Sequence, residues 1–149
     1  MRSIILYKIS PQLILVVYRF THKIGDKILI DEYRRGWALR CIREAEAELE
    51  AAKTSPDMAL TLILEALRKA QAAIYYSLGE PASIERVVHQ ILRGRTPIND
   101  PVLKCLVEIE SSIQQIARGS TSIIDEAMEI ADEVIKIASR IVDLFIDDN

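Results

Sequence analysis

Residues 55–79 read SPDMALTLILEALRKAQAAIYYSLG and predict one long helix. Ser55 is a suitable N-cap, Pro56 suits the first helical position, and Asp57 favours the positive end of the helix dipole. Gly79 follows the helix at the position where glycine commonly adopts a left-handed conformation. The stretch therefore contains both a start signal and a stop signal.

Apolar residues recur inside this stretch at helical spacing and spread well past one face. The set comprises Leu60, Ile63, Ala66, Leu67, Ala70, Ala73, Ile74 and Leu78, widened by Leu62, Leu64 and Tyr75. A helix that is apolar on several sides must be covered on several sides, so we interpret it as the central member of a helical bundle.

The composition is that of a single helix-rich domain with an aliphatic core. The chain has 149 residues, of which 50% are hydrophobic and only 5% aromatic. Its formal net charge of −3 argues against a generally basic nucleic-acid-binding protein, although it leaves room for a local basic patch. The many Ile, Glu, Lys and Arg residues are a weak sign of a thermophilic source.

The cysteines and the hydrophobic start of the chain predict a cytoplasmic location. Cys41 and Cys105 match no metal-ligand spacing and fall within apolar helical patterns, so we expect two buried thiols in a reducing cytosol. Residues 4–20 are hydrophobic, but charged residues and a proline interrupt them, and no span of about 20 apolar residues exists. They also lack a small-residue cleavage site. We therefore expect no membrane segment.

Residues 1–30 differ from the rest of the chain. Short runs of Ile, Leu, Val and Tyr are separated by Ser10-Pro11 and Gly25-Asp26, which predicts two or three short strands. The alternative is an extension that precedes the domain, for example from a misassigned start. We accordingly divide the chain into an N-terminal extension, 1–30, and a helical domain, 31–149.

From Asp31 onward the apolar period of 3.6 predicts four long helices and one short one. We place them at residues 31–53, 56–79, 83–93, 100–118 and 122–147. The connection after residue 53 is so short that the first two helices must be antiparallel. Ser83 and Asp100 are the expected caps of the third and fourth helices, and Ser122–Asp125 resembles a capping box. The predicted fold is all-α, an up-and-down four-helix bundle with an additional short helix.

The last helix carries two adjacent apolar stripes, although one bundle core needs only one. The first stripe is Ile123, Ala127, Ile130, Val134, Ile137, Ile141 and Leu144, and the second is Ile124, Met128, Ala131, Ile135, Ala138 and Val142. The surplus predicts contact with the N-terminal segment or a subunit interface, and we favour a homodimer.

Residues 43–83, REAEAELEAAKTSPDMALTLILEALRKAQAAIYYSLGEPAS, resemble the opening of the HEPN family, the higher eukaryotes and prokaryotes nucleotide-binding domain. The family's first helix has the pattern A-x-x-D-L-x-A-A, which residues 45–52 match with Glu48 in place of Asp. Its second helix has A-x-x-x-x-x-Q-A-x-E-K-A-x-K-A and ends near Leu-Gly. In this chain Glu65 replaces the Gln of that pattern. The residues that match the pattern are Ala59, Ala66, Lys69, Ala70, Ala73, Leu78 and Gly79.

The last helix is similar to the family's closing pattern A-x-x-x-A-x-x-V-x-x-x-V. Ala127, Ala131 and Val134 match it, whereas Ala138 departs from the final Val. The resemblance covers residues 31–147. It implies a cytosolic helical bundle that dimerises, with no cofactor, and that is often encoded beside a minimal nucleotidyltransferase in a toxin–antitoxin or defence system.

Active members of that family are metal-independent ribonucleases that use an Arg followed four to six residues later by a His. Arg118 stands at the Arg position, but none of residues 119–125 is His. The only histidines are His22, outside the resemblance, and His89, in the short helix. Arg68 also replaces an acidic residue common in the second helix. Ribonuclease activity is therefore not expected.

Basic residues are densest between the short helix and the fourth helix. Arg86, Arg93 and Arg95 lie there, with Lys104 beyond the loop, and Arg118 joins them if the bundle brings the helix ends together. We predict that these arginines bind phosphate or a nucleotide. The alternative is a solvated rim with favourable charges at helix C-termini.

The leading expectation is a non-catalytic HEPN-like module, dimeric, that binds a partner protein or a nucleotide. One alternative is a ribonuclease with a displaced site that uses Arg118 and His89. Another is a plain structural bundle without a ligand. No Glu-x-x-His pair is present for a di-iron centre, so we expect no metal site.

Overall fold

The computed structural model of the chain describes residues 32–94, 99–119 and 124–146. All regular structure in these ranges is helical: α1 (Glu32–Thr54), a 3₁₀ turn (Pro56–Met58), α2 (Ala59–Leu78), α3 (Pro81–Leu92), α4 (Pro101–Ala117) and α5 (Ile124–Ile146). The predicted all-α class is confirmed, as is the order of long and short helices. The predicted strands in residues 1–30 and the predicted cap at Ser122 lie outside the described residues.

The first two helices form an antiparallel pair. Trp37, near the start of α1, stacks on Tyr76, near the end of α2. Glu44, two turns further along α1, pairs with Lys69, about two turns earlier in α2. The opposite progression of the two contacts establishes the predicted antiparallel direction.

The other two long helices continue the alternation of direction. Arg68, in the middle of α2, contacts Glu110, in the middle of α4, while Leu78 at the end of α2 shares a groove with Leu103 at the start of α4. In the first half of α5, Asp132 lies close enough for its charge to act on Lys53, at the end of α1. The four long helices thus alternate as in an up-and-down bundle.

Helix α2 is the central helix, as predicted, because it contacts all four of the other helices. Its Ile63, Leu67 and Ile74 are fully buried. Leu60 is an exception to the prediction, since it is 40% exposed. Its neighbour Ala59, in the same first turn of α2, is buried, so the exposure of Leu60 reflects the side of the helix on which it lies.

The backbones of α1 and α2 approach each other closely because alanine occupies their facing positions. Three alanines recur every seven residues in α1, and three more do so in α2. All six are buried: Ala38, Ala45, Ala52, Ala59, Ala66 and Ala73. A methyl group at each position removes the bulk that would otherwise hold two helices 8–10 Å apart, so this pair makes the most extensive backbone contact in the bundle.

Two predicted helix starts are wrong in detail. Pro56 begins a 3₁₀ turn rather than α2, and the Ser55 side chain makes no capping hydrogen bond, because the tight reversal after α1 requires the shorter turn first. Helix α3 begins at Pro81, and its N-cap residue is Glu80, three positions before the predicted cap Ser83. The fixed φ of proline suits a first helical position, so the helix starts there.

The predicted cap at Asp100 is confirmed, but the predicted conformation of Gly79 is wrong. The Asp100 carboxylate accepts hydrogen bonds from the backbone N–H groups of Val102, at 2.7 Å, and Leu103, at 3.3 Å. Gly79 has a φ of 165°, which is extended rather than left-handed. The chain must continue directly into α3, and an extended residue permits this where a left-handed one would turn the chain back.

Both apolar stripes of α5 are largely buried within the single chain. Ile130, Val134 and Ile141 of the first stripe and Ile135 and Val142 of the second have almost no exposed surface. The surplus stripe therefore does not require a second subunit to cover it. The homodimer stays a prediction, because the apolar stripe of α5 on which it was based is not exposed.

Cys41 and Cys105 are buried free thiols, as expected. No helix in the described part of the chain combines the length and the apolar character needed to cross a membrane.

Candidate functional site

Glu110 is a buried carboxylate in the middle of α4, with only 1% of its side chain exposed. Its neighbours along the inner face of the helix are apolar, among them Leu106, Ile109 and Ile113. Burial of a charged carboxylate is costly unless the group is paired and hydrogen-bonded. The position therefore requires compensating partners from the surrounding helices.

Three side chains from two other helices supply those partners. In α2, the Arg68 Nη1 donates to both Glu110 oxygens, at 2.8 and 2.9 Å, and the Gln71 Nε2 lies 3.4 Å from Oε1. In α3, the His89 Nε2 lies 3.2 Å from the same Oε1. We call Arg68, Gln71, His89 and Glu110 the Glu110 cluster. It joins α2, α3 and α4 at one point.

The hydrogen bonds of the cluster keep Glu110 ionised. Burial by itself would raise the pKa of its carboxyl group, but hydrogen bonds and charge from Arg68, with further hydrogen bonds from His89 and Gln71, lower it below the usual value. An ionised carboxylate can only accept hydrogen bonds, so the His89 Nε2 must carry a hydrogen. In the neutral ring the Nδ1 of His89 is then an acceptor, and protonation makes it a donor.

A buried phenol lies beside the cluster. The Tyr75 hydroxyl is buried and makes no hydrogen bond of good geometry with the described residues, although Gln71 is its neighbour one turn earlier on α2. Burial, followed by the negative charge of Glu110, raises the pKa of Tyr75 well above its usual value. Tyr75 therefore remains a neutral donor next to the ionised carboxylate.

Two partners of Glu110, Arg68 and His89, reach the surface, whereas the carboxylate does not. The Arg68 side chain is 48% exposed and that of His89 is 37% exposed. Of the three guanidinium nitrogens of Arg68, only Nη1 has hydrogen-bond partners among the described residues. No described residue engages its Nε and Nη2 donors or the Nδ1 of His89, which accepts in the neutral ring and donates in the protonated one.

The structure brings two of the predicted phosphate-binding residues onto the same surface as His89. Arg86 and His89 occupy positions i and i+3 of α3, and Arg93, the C-cap residue of that helix, follows at i+7, which continues the same face. Arg86 and Arg93 are exposed, and their side chains make no ion pair with other residues of the described ranges. We call Arg86 and Arg93 the basic stripe of α3. It lies on the same face of the helix as His89, which belongs to the Glu110 cluster.

The other two predicted residues are placed differently. Arg118 follows the last turn of α4, is exposed, and donates to the side chain of Gln114 at 3.2 Å. It lies eight residues beyond Glu110, about 12 Å along the helix axis. The structure thus gives His89 the partner Glu110, not Arg118. Arg95 lies outside the described residues.

Sequence reasoning missed Glu110 and Gln71, and it treated Arg68 only as a departure from the family pattern. A signal for Glu110 was present, because it stands four residues after Leu106 and three before Ile113, on the apolar stripe of its helix. Gln71 bears the same relation to Leu67 and Ile74. Polar residues inside an apolar stripe indicate either a partner or a site.

Comparisons of this chain with protein-family models, with curated proteins and with solved structures find no match. Within the described ranges, no three His, Cys, Asp or Glu side chains are grouped closely enough to hold a metal ion. The assignment of a function therefore depends on the geometry of the Glu110 cluster and its surroundings.

Proposed function

We propose that this chain is a non-catalytic binding module of the HEPN type that holds the phosphate groups of a nucleotide or of RNA beside the Glu110 cluster. The observation that carries the proposal is the buried Glu110 carboxylate, which fixes Arg68 of α2 and His89 of α3 side by side. Because both side chains keep an exposed end, a phosphate can accept hydrogen bonds from Arg68 and, when the His89 ring is protonated, from the Nδ1 of His89.

The basic stripe of α3 supplies the excess positive charge. Glu110 neutralises the charge of Arg68, so a phosphate needs further cations nearby. Arg86 and Arg93 provide two guanidinium groups that no described carboxylate engages, on the same face as His89. A local basic surface of this kind is compatible with a net charge of −3 for the whole chain.

The family part of the proposal is supported by the helix order, since two long helices, a short one and two further long ones follow each other as the resemblance implies. The partners are proposals from the same resemblance: a second copy of the chain, and a minimal nucleotidyltransferase in a toxin–antitoxin or defence system. A cytoplasmic location accompanies them, because the two cysteines are free thiols.

One observation favours the alternative, a ribonuclease with an atypical site. A histidine oriented by a carboxylate is the arrangement that general acid–base chemistry requires. In this version His89 would act with Arg68 rather than with Arg118. The two proposals differ in one respect that is simple to measure, because a ribonuclease shortens the RNA that a binding module leaves intact.

The test is fluorescence anisotropy with a fluorescein-labelled single-stranded RNA, compared for the wild-type chain and the double variant Arg86→Gln/Arg93→Gln. We expect the variant to bind about tenfold more weakly, because two charge-assisted phosphate contacts are lost. The slope of log affinity against log salt should fall by about 1.4, since each contact to single-stranded RNA contributes about 0.7.

The matched control is Arg43→Gln/Arg140→Gln, which removes the same charge from exposed positions on α1 and α5. Equal weakening by the two double variants would show a general charge effect and contradict the proposed site. Undetectable binding of RNA and of nucleotides by the wild-type chain would contradict the function itself. Gel analysis of the same samples decides between binding and cleavage.

A further inference from the structure

A cleft of about 670 Å³ opens between the start of α1 and the junction of α2 with α3. Its lining includes Tyr33, Arg34, Tyr76, Glu80, Pro81 and Glu85. We call it the aromatic cleft. It combines tyrosine rings with carboxylates, which is a chemistry different from that of the basic stripe on α3.

The tyrosine rings of the cleft are held in place by Trp37. The Tyr33 ring meets Trp37 edge to face, with centroids 6.2 Å apart and planes at 67°, and the Tyr33 residue is 69% exposed. Tyr76 stacks against Trp37, also at 6.2 Å, with planes only 14° apart. A ligand would therefore meet rings that are already oriented, which reduces the entropy lost on binding.

Next to the cleft, the chain shows how this aromatic group holds a cation. The Arg40 guanidinium carbon lies 5.1 Å from the centroid of the Trp37 ring, while Nε donates to Glu44 at 2.7 Å. One guanidinium is thus held by a ring and a carboxylate together. The aromatic cleft offers the same pair of features, with Tyr33 and Tyr76 as the rings.

Glu80 and Glu85 provide the carboxylates, and both are exposed at the cleft. Of the described residues that line the cleft, Arg34 alone is basic, and it is already engaged in an interaction of its own. Two carboxylates and two tyrosine rings attract a cation, whereas an anionic ligand would be repelled.

We propose that the aromatic cleft is a protein-docking site that receives an arginine side chain from a basic segment of a partner protein. A planar guanidinium can stack on a tyrosine ring and hydrogen-bond a carboxylate at the same time, which the compact ammonium of lysine cannot do. The site is independent of the phosphate-binding proposal, because it uses neither the Glu110 cluster nor the basic stripe.

The test uses Trp37, the only tryptophan of the chain, as the reporter. Its fluorescence is titrated with a short capped peptide that contains one arginine, and with the same peptide carrying citrulline, which has nearly the same shape and no charge. We expect a saturable change with the arginine peptide only. Glu80→Gln/Glu85→Gln should weaken binding about fivefold, since two ion pairs are lost, whereas Arg34→Gln should strengthen it.

The charge-matched control is Glu46→Gln/Asp143→Asn, at exposed positions away from the cleft lining, which should bind as the wild type does. Three results would overturn the proposal: an equal response to the citrulline peptide, unchanged affinity in Glu80→Gln/Glu85→Gln, or no change in Trp37 emission and indole NMR shift with the arginine peptide. Binding of free arginine amide as tight as that of the peptide would overturn the assignment to a partner protein.

Discussion

Glu110 shows how one buried charge organises several neighbours. It stands on the apolar inner face of α4, and both of its carboxylate oxygens accept hydrogen bonds from Arg68. A buried ion pair adds little net stability, but removal of one of its two residues leaves the other charge buried and unpaired, which is strongly destabilising. Its value to the protein is the fixed position of Arg68 and His89.

Replacement of Glu110 by Gln should lower the free energy of unfolding by about 1–3 kcal/mol. The amide has no negative charge and only one acceptor oxygen, so it cannot accept all the hydrogen bonds that Arg68 and His89 donate to the carboxylate. Urea denaturation followed by circular dichroism measures the change. The control is Glu46→Gln, at an exposed position of α1, which should stay within about 0.5 kcal/mol of the wild type. Equal stability of the two variants would contradict a paired Glu110.

The pH dependence of that difference follows from the lowered pKa of Glu110. A carboxyl group whose pKa is lower in the folded state contributes stability above its ordinary value, 4.5, and loses the contribution as the pH falls through the folded pKa. The stability gap between the wild type and Glu110→Gln should therefore be full at pH 6 and shrink as the pH falls below 4.5. A gap that widens on acidification would contradict the pairing.

Two residues that the sequence predicts as helix N-caps differ in the structure, because only one of them makes capping hydrogen bonds. Asp100 accepts two backbone hydrogen bonds at the start of α4, whereas Ser55 makes none with its side chain. Asp100→Ala should lower the free energy of unfolding by about 1 kcal/mol, and Ser55→Ala should leave it nearly unchanged. Thermal unfolding of the two variants provides the comparison, and equal effects would contradict the assignment.

The alanine positions between α1 and α2 set the distance between these two helices. Ala66 is fully buried there, so Ala66→Leu must separate the helices or force strained rotamers, at a cost of about 1–3 kcal/mol. The matched control is Ala51→Leu, at an exposed position of α1, where the added side chain meets solvent. Urea unfolding that gives the two variants the same midpoint would contradict close packing of α1 on α2.

The buried cysteines report on opening of the whole bundle. Burial raises the pKa of Cys105 to about 12, and that of Cys41 in the same direction, so neither thiol should react with an aromatic disulfide reagent while the bundle is closed. Labelling followed by mass spectrometry should occur at a rate that rises with urea in step with global unfolding. Rapid labelling of Cys105 without urea would contradict the packing described for α4.

At the scale of the whole molecule, the helical parts of the fold follow from local patterns. The periodicity of 3.6 located all five helices, and Asp100-Pro101 located the start of α4 correctly. The errors, at Ser55, Gly79 and Ser83, arose where two elements share a short connection. In such connections the direction of the next helix, rather than the residue itself, determines the backbone conformation.

The candidate site was predictable only in part. Arg86 and Arg93 were identified as basic residues, and their common face with His89 follows from helical spacing. The role of Glu110 did not follow, because a lone glutamate in an apolar stripe does not indicate which helix faces it. Arg118 was assigned from the family pattern, yet in the structure its side chain contacts Gln114 on its own helix.

The sequence by itself determined the five helices of the described ranges, their order and their mostly aliphatic interior, because periodicity and proline positions act over a few residues. Only the tertiary structure decided which helices meet and at what register. Arg68, His89 and Glu110 come from three helices, and Tyr33 and Tyr76 from two. Their distances depend on how the buried alanine and isoleucine side chains fit together, which is a property of the packed bundle and not of any one segment.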